Sequence, residues 1–401
     1  MDCILYGVIM IRRQLASYLK KAAQQFPIVG VIGPRQSGKT TLVKEVFSHY
    51  SYVTLEDLDT KIRAKEDPRK FFASFAQAKG LIIDEAQEVP ELFSYLQGIV
   101  DQNNRPGFFI LTGSQNFLMH EKITQTLAGR IALFTLLPLT IDELNDSTFS
   151  VSSPESIMQK GLYPRVYADN IDQEMWFSNY VTTYVERDVR QIINVNDIIS
   201  FQKFLKLCAA RTGNIINYAS LARDCDINPH TAKAWLSLLE ASYIIKLLPP
   251  YYKNYNKRVI KSPKLYFYDT GLACFLLGIR NAQDLYTHPL RGSLFETLII
   301  SELHKHYYNA GRIPQLYFWR DIQGHEIDCI VEVSYEQLLA IEIKASMTIM
   351  SGAFKELIDW QTITQQSEQS SFLIYAGSED QVRTHGKVIA WNNIKNILFT
   401  I

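Results

Sequence analysis

Lys39 and Thr40 close the run Gly33-Pro-Arg-Gln-Ser-Gly-Lys-Thr40, in which two glycines, a lysine and a hydroxyl are spaced to hold a polyphosphate. Gly33 and Gly38 let backbone N–H groups wrap phosphate oxygens, and a helix starting there adds the positive end of its dipole. Lys39 reaches the β- and γ-phosphates of a nucleotide, the Thr40 hydroxyl ligates Mg²⁺, and Thr41 is a further candidate for nucleotide binding. The run follows the apolar PIVGVI and precedes the helical TLVKEVF, the context such a loop requires.

A nucleotide held with Mg²⁺ needs a carboxylate at the end of a neighbouring strand, and Leu81-Ile-Ile-Asp84-Glu85 supplies two. Asp84 is expected in the Mg²⁺ shell. Glu85 is placed to polarise the attacking water, so hydrolysis is expected. The next apolar run, FFILTG, ends at Ser114-Gln115. Ser114 suits a hydrogen bond to the γ-phosphate or the water, and it equally suits a helix N-cap.

A second set lies far downstream. Asp328 sits in one strand candidate, Glu342 and Lys344 in the next, and Glu296 in the helix candidate SLFETLIISEL. Period two puts Glu342 and Lys344 on one face of their strand. Three carboxylates and a lysine at one spot are what metal-dependent phosphodiester cleavage needs: acids for one or two Mg²⁺, a lysine for the water.

Elements must carry these groups. Apolar runs at 27–33, 52–57, 80–86, 108–113 and 131–136 alternate with amphipathic stretches such as Pro90–Val100 and Ser114–Leu127. This is the pattern of a parallel sheet covered on both faces. A Ser-rich stretch at 147–155 marks the first boundary. A mainly helical unit follows to about 245. Strand patterns return at 265–269, 316–321, 325–333, 338–345 and 371–377, with helix candidates at 291–308 and 352–366. That predicts a third, mixed-sheet α/β unit. The expected division is 10–147, 150–265 and 266–401, with residues 1–9 as an upstream extension.

Across 401 residues, 41 Lys+Arg balance 41 Asp+Glu, so no whole-molecule field draws the chain to nucleic acid or anionic lipid. No 18-residue apolar run exists, and Arg12-Arg13 follow the short apolar start rather than precede it. A cytoplasmic protein with no membrane partner is expected. The five cysteines, Cys3, Cys208, Cys225, Cys274 and Cys329, form no CxxC pair, so neither a disulfide framework nor a zinc ribbon is expected.

The segments GPRQSGKTTL, LIIDEAQ, ILTGSQ and LAGR followed by LLPLTIDEL resemble the AAA-type ATPases of the archaeal-type, origin-recognition-related group, over about residues 10 to 147. The resemblance implies an ATP- and Mg²⁺-dependent ATPase. Arg130 matches the place of an arginine finger that reaches a neighbouring subunit, which implies a homo-oligomer; it equally suits a salt-bridged strand edge. Arg165, in Gly161-Leu-Tyr-Pro-Arg165, matches the lid segment that carries a second sensor, or is a surface loop arginine. Met10-Ile-Arg-Arg13 matches the usual beginning of the family. Thr183-Tyr-Val-Glu-Arg-Asp188 and Phe267-Tyr-Asp-Thr-Gly-Leu272 also resemble it, and Asp269 is placed to N-cap a helix over 270–277.

In the middle unit, helix (217–226), turn, helix (231–241) and strand (243–248) follow the order of a winged helix-turn-helix. Between 200 and 265 eleven Lys/Arg stand against three acids. Lys253, Lys257, Arg258 and Lys261, interleaved with Tyr251, Tyr252 and Tyr255, suit phosphate contact and stacking, so DNA is the expected partner. An internal scaffold or a protein interface accounts for the same pattern.

Residues 290–391 resemble the PD-(D/E)xK restriction-endonuclease-like fold through Glu296, Asp328, Glu342 and Lys344. The resemblance implies a metal-dependent nuclease, or a retained fold used for assembly or DNA binding without cleavage. Ile327 stands where the motif has proline, and Glu326 shares the strand, which puts cleavage in doubt.

Overall fold

The computed structural model describes residues 10–114, 126–149, 152–185, 198–251, 262–334 and 337–398, without the side chains of 184, 185 and 398. Gln115, Arg187, Asp188, Tyr252, Lys253, Tyr255, Lys257, Arg258 and Lys261 lie outside the described residues.

The first unit is a parallel sheet of β1 (Ile28–Ile32), β2 (Ser51–Thr54), β3 (Leu81–Asp84), β4 (Phe109–Gly113) and β5 (Ile131–Thr135), in the order β2-β3-β4-β1-β5. Central β1 and β4 are buried along their whole length, which is why they read as unbroken apolar runs rather than as alternation. Helices α1 (Ala16–Ala22), α2 (Lys39–Val46), α3 (Leu58–Glu66), α4 (Pro68–Ala73) and α5 (Leu92–Gln102) cover it. Two apolar clusters result. One joins Val29, Val31 and Ile110 to Leu42 and Val43 of α2, and the other joins Ile28, Ile83 and Leu111 to Phe93 and Leu96 of α5.

Helix α6 (Ile141–Asn145) opens with a capping box between Thr140 and Glu143. Then come α7 (Pro154–Lys160), α8 (Pro164–Ala168), α9 (Gln173–Tyr180), a π-helical turn at Val181–Val185 and α10 (Ile198–Ala210). Strand β6 (Asn214–Ile215), α11 (Tyr218–Asp224), α12 (Pro229–Ala241), β7 (Ile245–Leu248) and β8 (Lys264–Phe267) complete the middle unit, with an antiparallel sheet ordered β6-β8-β7. The line expected between 265 and 266 falls inside β8. The run LYFYD, expected in the third sheet, pairs with β6 and β7 instead. The four residues of β8, Lys264–Phe267, are all buried, so local pattern does not say which sheet they join.

After α13 (Thr270–Leu277) and the 19-residue α14 (Arg291–Asn309), the third unit is a six-stranded mixed sheet. Its strands are β9 (Leu316–Arg320), β10 (Glu326–Glu332), β11 (Leu338–Lys344), β12 (Ser371–Tyr375), β13 (Gln381–Arg383) and β14 (Gly386–Ala390), with α15 (Lys355–Thr364) and α16 (Lys395–Leu398). The order is β13-β14-β12-β11-β10-β9. One apolar cluster runs without interruption from Leu139 through Phe204, Phe267 and Phe295 to Ile397, so the second and third units share a core. Among the described residues no helix is long and apolar enough to cross a membrane.

Candidate functional site

The phosphate loop joins β1 to α2 at the C-terminal end of the sheet. Two positions demand glycine. A side chain on Gly33 (φ 152°) would place its Cβ 2.1 Å from the carbonyl oxygen of Leu136, and Gly38 turns into α2 at φ 92°. The Lys39 ammonium donates to the carbonyls of Gly33 at 3.1 Å and Pro34 at 2.9 Å. The Thr40 hydroxyl donates to Asp84, 3.0 Å from either oxygen. Asp84, buried at the tip of β3, also accepts from Tyr52 Oη at 2.8 Å and from Thr112 Oγ1.

Glu85 follows in the left-handed region, φ 54° and ψ 48°. A non-glycine residue there costs roughly 1–2 kcal/mol, a strain typical of functional positions. The turn lifts its carboxylate off the strand and into the cleft. Oε2 accepts from Ser114 Oγ at 2.8 Å, from Ser114 N at 3.3 Å and from Gln87 Nε2. Burial alone would raise its pKa, but Lys39, Gln87, Ser114 and Arg35 outweigh it and hold the carboxyl below its ordinary value. Ser114 is therefore a partner of Glu85.

Lys39, Thr40 and Glu85 line a cleft of about 800 Å³ that is also walled by Thr41, by Met10, Ile11 and Arg13 ahead of α1, and by Pro164, Arg165 and Asp169 at α8. Arg165 pairs with Asp169 at 2.8 Å and donates to Gln36 of the loop at 3.4 Å. The buried Arg13 carries the frame. Its Nη1 donates to Ser37 O, its Nη2 to Leu137 O, both at 2.7 Å, and its Nε to Glu143 Oε1 at 3.1 Å. Glu143 Oε1 also accepts from Gln14 N and from Asn309 Nδ2 of α14. The sequence marked Arg13 only as part of a family beginning; its partner lies 130 positions away.

The residues fit ATP with Mg²⁺. Ser37 Oγ is buried in the loop with no hydrogen-bond partner, Lys39 is seated on the loop's own carbonyls, and Thr40 and Asp84 are a hydroxyl–carboxylate donor set for a hard cation. Arg130 stands elsewhere. It precedes β5, at the end of the sheet opposite the loop, and makes a two-pronged pair with Asp101 at 2.6 and 2.9 Å. It does not reach the cleft of its own chain.

In the third unit Glu296, Asp328, Glu342 and Lys344 enter one polar network between α14 and the sheet. Lys264, from β8, lies at its centre, with Nζ 3.0 Å from Glu296 Oε1, 3.8 Å from Asp328 Oδ1 and in contact with Glu326. Asp328 Oδ2 accepts from Ile343 N at 2.8 Å, and Lys344 pairs with Glu342. Burial and the Asp328 charge raise Glu296 to about 7, against the lowering pull of Lys264. Burial likewise raises Asp328 and, strongly, Glu342. The ligand atoms of the three acids are not all within 4.8 Å of one another. Among the described residues, the set of at least three His, Cys, Asp or Glu whose ligand atoms all lie within 4.8 Å of one another is His325, Glu356 and Asp359, which the sequence reading did not single out. Asp269 caps α13 through Leu272 N at 3.0 Å and also accepts from Leu162 N at 2.7 Å.

Comparison with known proteins agrees with the first unit. Residues 25–145 match an AAA domain, 153–283 a domain of unknown function (DUF8612) and 291–394 a domain of unknown function (DUF4143). Two uncharacterized proteins, of Mycobacterium tuberculosis (strain ATCC 25618 / H37Rv) and Mycobacterium bovis (strain ATCC BAA-935 / AF2122/97), are each 32% identical over 391 residues, covering 94% of this chain and 86% of theirs. Among solved structures, a Walker-type ATPase of Pyrococcus abyssi aligns at 16% identity and TM-score 0.44, over 67% of this chain and 96% of its own. The RuvB Holliday junction branch migration motor of Thermotoga maritima aligns at 16% identity and TM-score 0.30, over 59% of this chain and 89% of its own. The chain belongs to the family of the two mycobacterial proteins, and its residues 25–145 are an AAA-type P-loop domain.

Proposed function

We propose that the chain hydrolyses ATP and uses the cycle to change how its middle and C-terminal units engage DNA. The observation that carries this reading is the composition of the cleft. The phosphate loop, the segment before α1 and α8 of the middle unit line one space, so occupancy and hydrolysis are felt outside the first unit.

Bound ATP supplies the γ-phosphoryl group, and its Mg²⁺ neutralises developing charge. Lys39 exchanges its carbonyl partners for phosphate oxygens. Thr40 and Asp84 hold the cation, and Glu85 takes a proton from the attacking water. Ser114 and Gln87 keep Glu85 oriented and ionised. Arg165 contributes charge from the lid side, and Arg130 acts as a finger toward the cleft of a second copy in a homo-oligomer.

For the middle unit, the order α10, β6, α11, α12, β7, β8 supports a winged helix, with DNA contact through Lys253, Lys257, Arg258 and Lys261. A second reading, a signalling or scaffold ATPase with protein partners and an inactive nuclease-like fold, is favoured by one observation: Lys264 sits among the acids of the third unit. ATP turnover measured with and without single- and double-stranded DNA, across a salt series, separates the two. DNA stimulation that fades with salt supports the first; turnover indifferent to any nucleic acid rejects it.

A further inference from the structure

Glu296, Asp328 and Glu342 have the residue types of a divalent-cation site but not its geometry. Mg²⁺ wants six oxygens at about 2.0–2.1 Å in a near-octahedral shell. Here the middle of the cluster belongs to a side chain from another unit. Lys264 has 3% of its side chain exposed, and its Nζ lies 3.0 Å from Glu296, 3.8 Å from Asp328 and against Glu326. Phe318 closes the space around it, its ring centroid 5.7 Å from Nζ. Two of the surrounding acids have a further cation. Lys344 pairs with Glu342, and Arg320 Nη1 reaches Glu326 Oε2 at 3.3 Å. Four acidic side chains therefore meet three cations, of which Lys264 is the buried one. A divalent ion entering beside the buried ammonium would meet like charge at close range, where salt screens it little.

We propose that Lys264 is the resident cation of this cluster: its ammonium stands in for a divalent metal, excludes Mg²⁺ and Mn²⁺ while β8 is in place, and clasps the middle unit to the third. This rests on the restriction-endonuclease-like reading of residues 290–391. Lys264 is the first residue of β8, which pairs with both β6 and β7. The clasp therefore ties the sheet of the middle unit to the acids that a nuclease would give to metal.

The test is Mn²⁺ binding to the nucleotide-free full-length chain, followed by electron paramagnetic resonance of free Mn²⁺. The wild type is expected to show no Mn²⁺ site that Asp328→Asn removes. Lys264→Gln, and Lys264→Gln/Glu326→Gln, which removes one charge of each sign, are expected to gain one site, at least tenfold tighter than any wild-type binding there and lost again on adding Asp328→Asn. Lys264→Arg should behave as the wild type. An Asp328-dependent Mn²⁺ site in the wild type overturns the proposal. So does a folded Lys264-free variant that gains none. Should both Lys264-free variants fail to fold, the wild type against Asp328→Asn decides alone. Neither ATP turnover nor DNA binding enters the readout, so its failure leaves the proposed function standing, and the converse holds.

Discussion

Arg13 Nη1 donates to the carbonyl oxygen of Ser37 at 2.7 Å, tying the chain ahead of α1 to the tip of the phosphate loop. The same guanidinium holds Leu137 O and the buried Glu143, so three separate stretches depend on one side chain.

Replacing Arg13 by Ala should destabilise the protein by about 3–5 kcal/mol, because Glu143 is left as a buried charge without its cation. Arg13→Lys should lie between, since one ammonium cannot match three acceptors in a planar fork. Urea unfolding of the three proteins checks this, and a midpoint shift below a fifth of the expected value would reject the role.

Binding and turnover should separate. Lys39→Ala should weaken or abolish ATP binding. Glu85→Gln should bind ATP as the wild type does and turn it over about a hundredfold more slowly or worse, the scale of losing a general base. Fluorescent-nucleotide titration and single-turnover hydrolysis measure the two effects. Wild-type hydrolysis by Glu85→Gln would remove Glu85 as the base.

Arg130→Ala should lose ATPase activity while its melting temperature hardly moves, because the pair with Asp101 is exposed. Mixing Arg130→Ala with Glu85→Gln should restore part of the rate, since one interface of a mixed assembly then has both intact groups. A monomer with full activity would contradict the assignment.

Replacing Lys253, Lys257, Arg258 and Lys261 with Glu should weaken DNA binding and flatten its salt dependence. Unchanged affinity in a folded variant would shift the reading toward a protein interface.

Glu296 carries a pH signature. Its carboxyl is raised to about 7 from 4.5, so the folded state holds a proton that the unfolded chain has released. The stabilisation is full below the unfolded value and is lost as pH rises through about 7. Denaturation midpoints of the wild type should therefore decline between pH 5 and 7 more steeply than those of Glu296→Gln. Parallel curves would remove Glu296 as the source.

What the sequence disclosed follows from range. Lys39, Thr40, Asp84 and Glu85 are legible because loop and strand chemistry is local, and β1, β3 and β4 because burial on both faces leaves unbroken apolar runs. The left-handed turn at Glu85 and its clasp by Ser114, 29 positions away, leave no periodic trace. Lys264 counted as one of eleven cations of a basic stretch, yet it is buried among carboxylates of another unit. Charge tallies cannot show which lysine turns inward. The short β13 and β14 carry no distinct strand pattern, and β8 pairs in the middle sheet rather than the third, because strand pairing is decided by partners distant in sequence.

Helix α14 begins at Arg291, which holds Glu155 of α7 at 2.6 Å, carries Glu296 in its second turn, and ends at Asn309, which donates to Glu143. Its 19 residues make a rod about 28 Å long, and a tilt of about 5° sweeps the far end through about 2.5 Å. That exceeds the slack of any hydrogen bond. A pivot too small to disturb packing at Glu143, which Arg13 couples to the phosphate loop, is thus enough to unseat the contacts of Arg291 or Glu296. By its length alone, α14 would turn a short stroke at Glu143 into a long one at Glu155 and the acids.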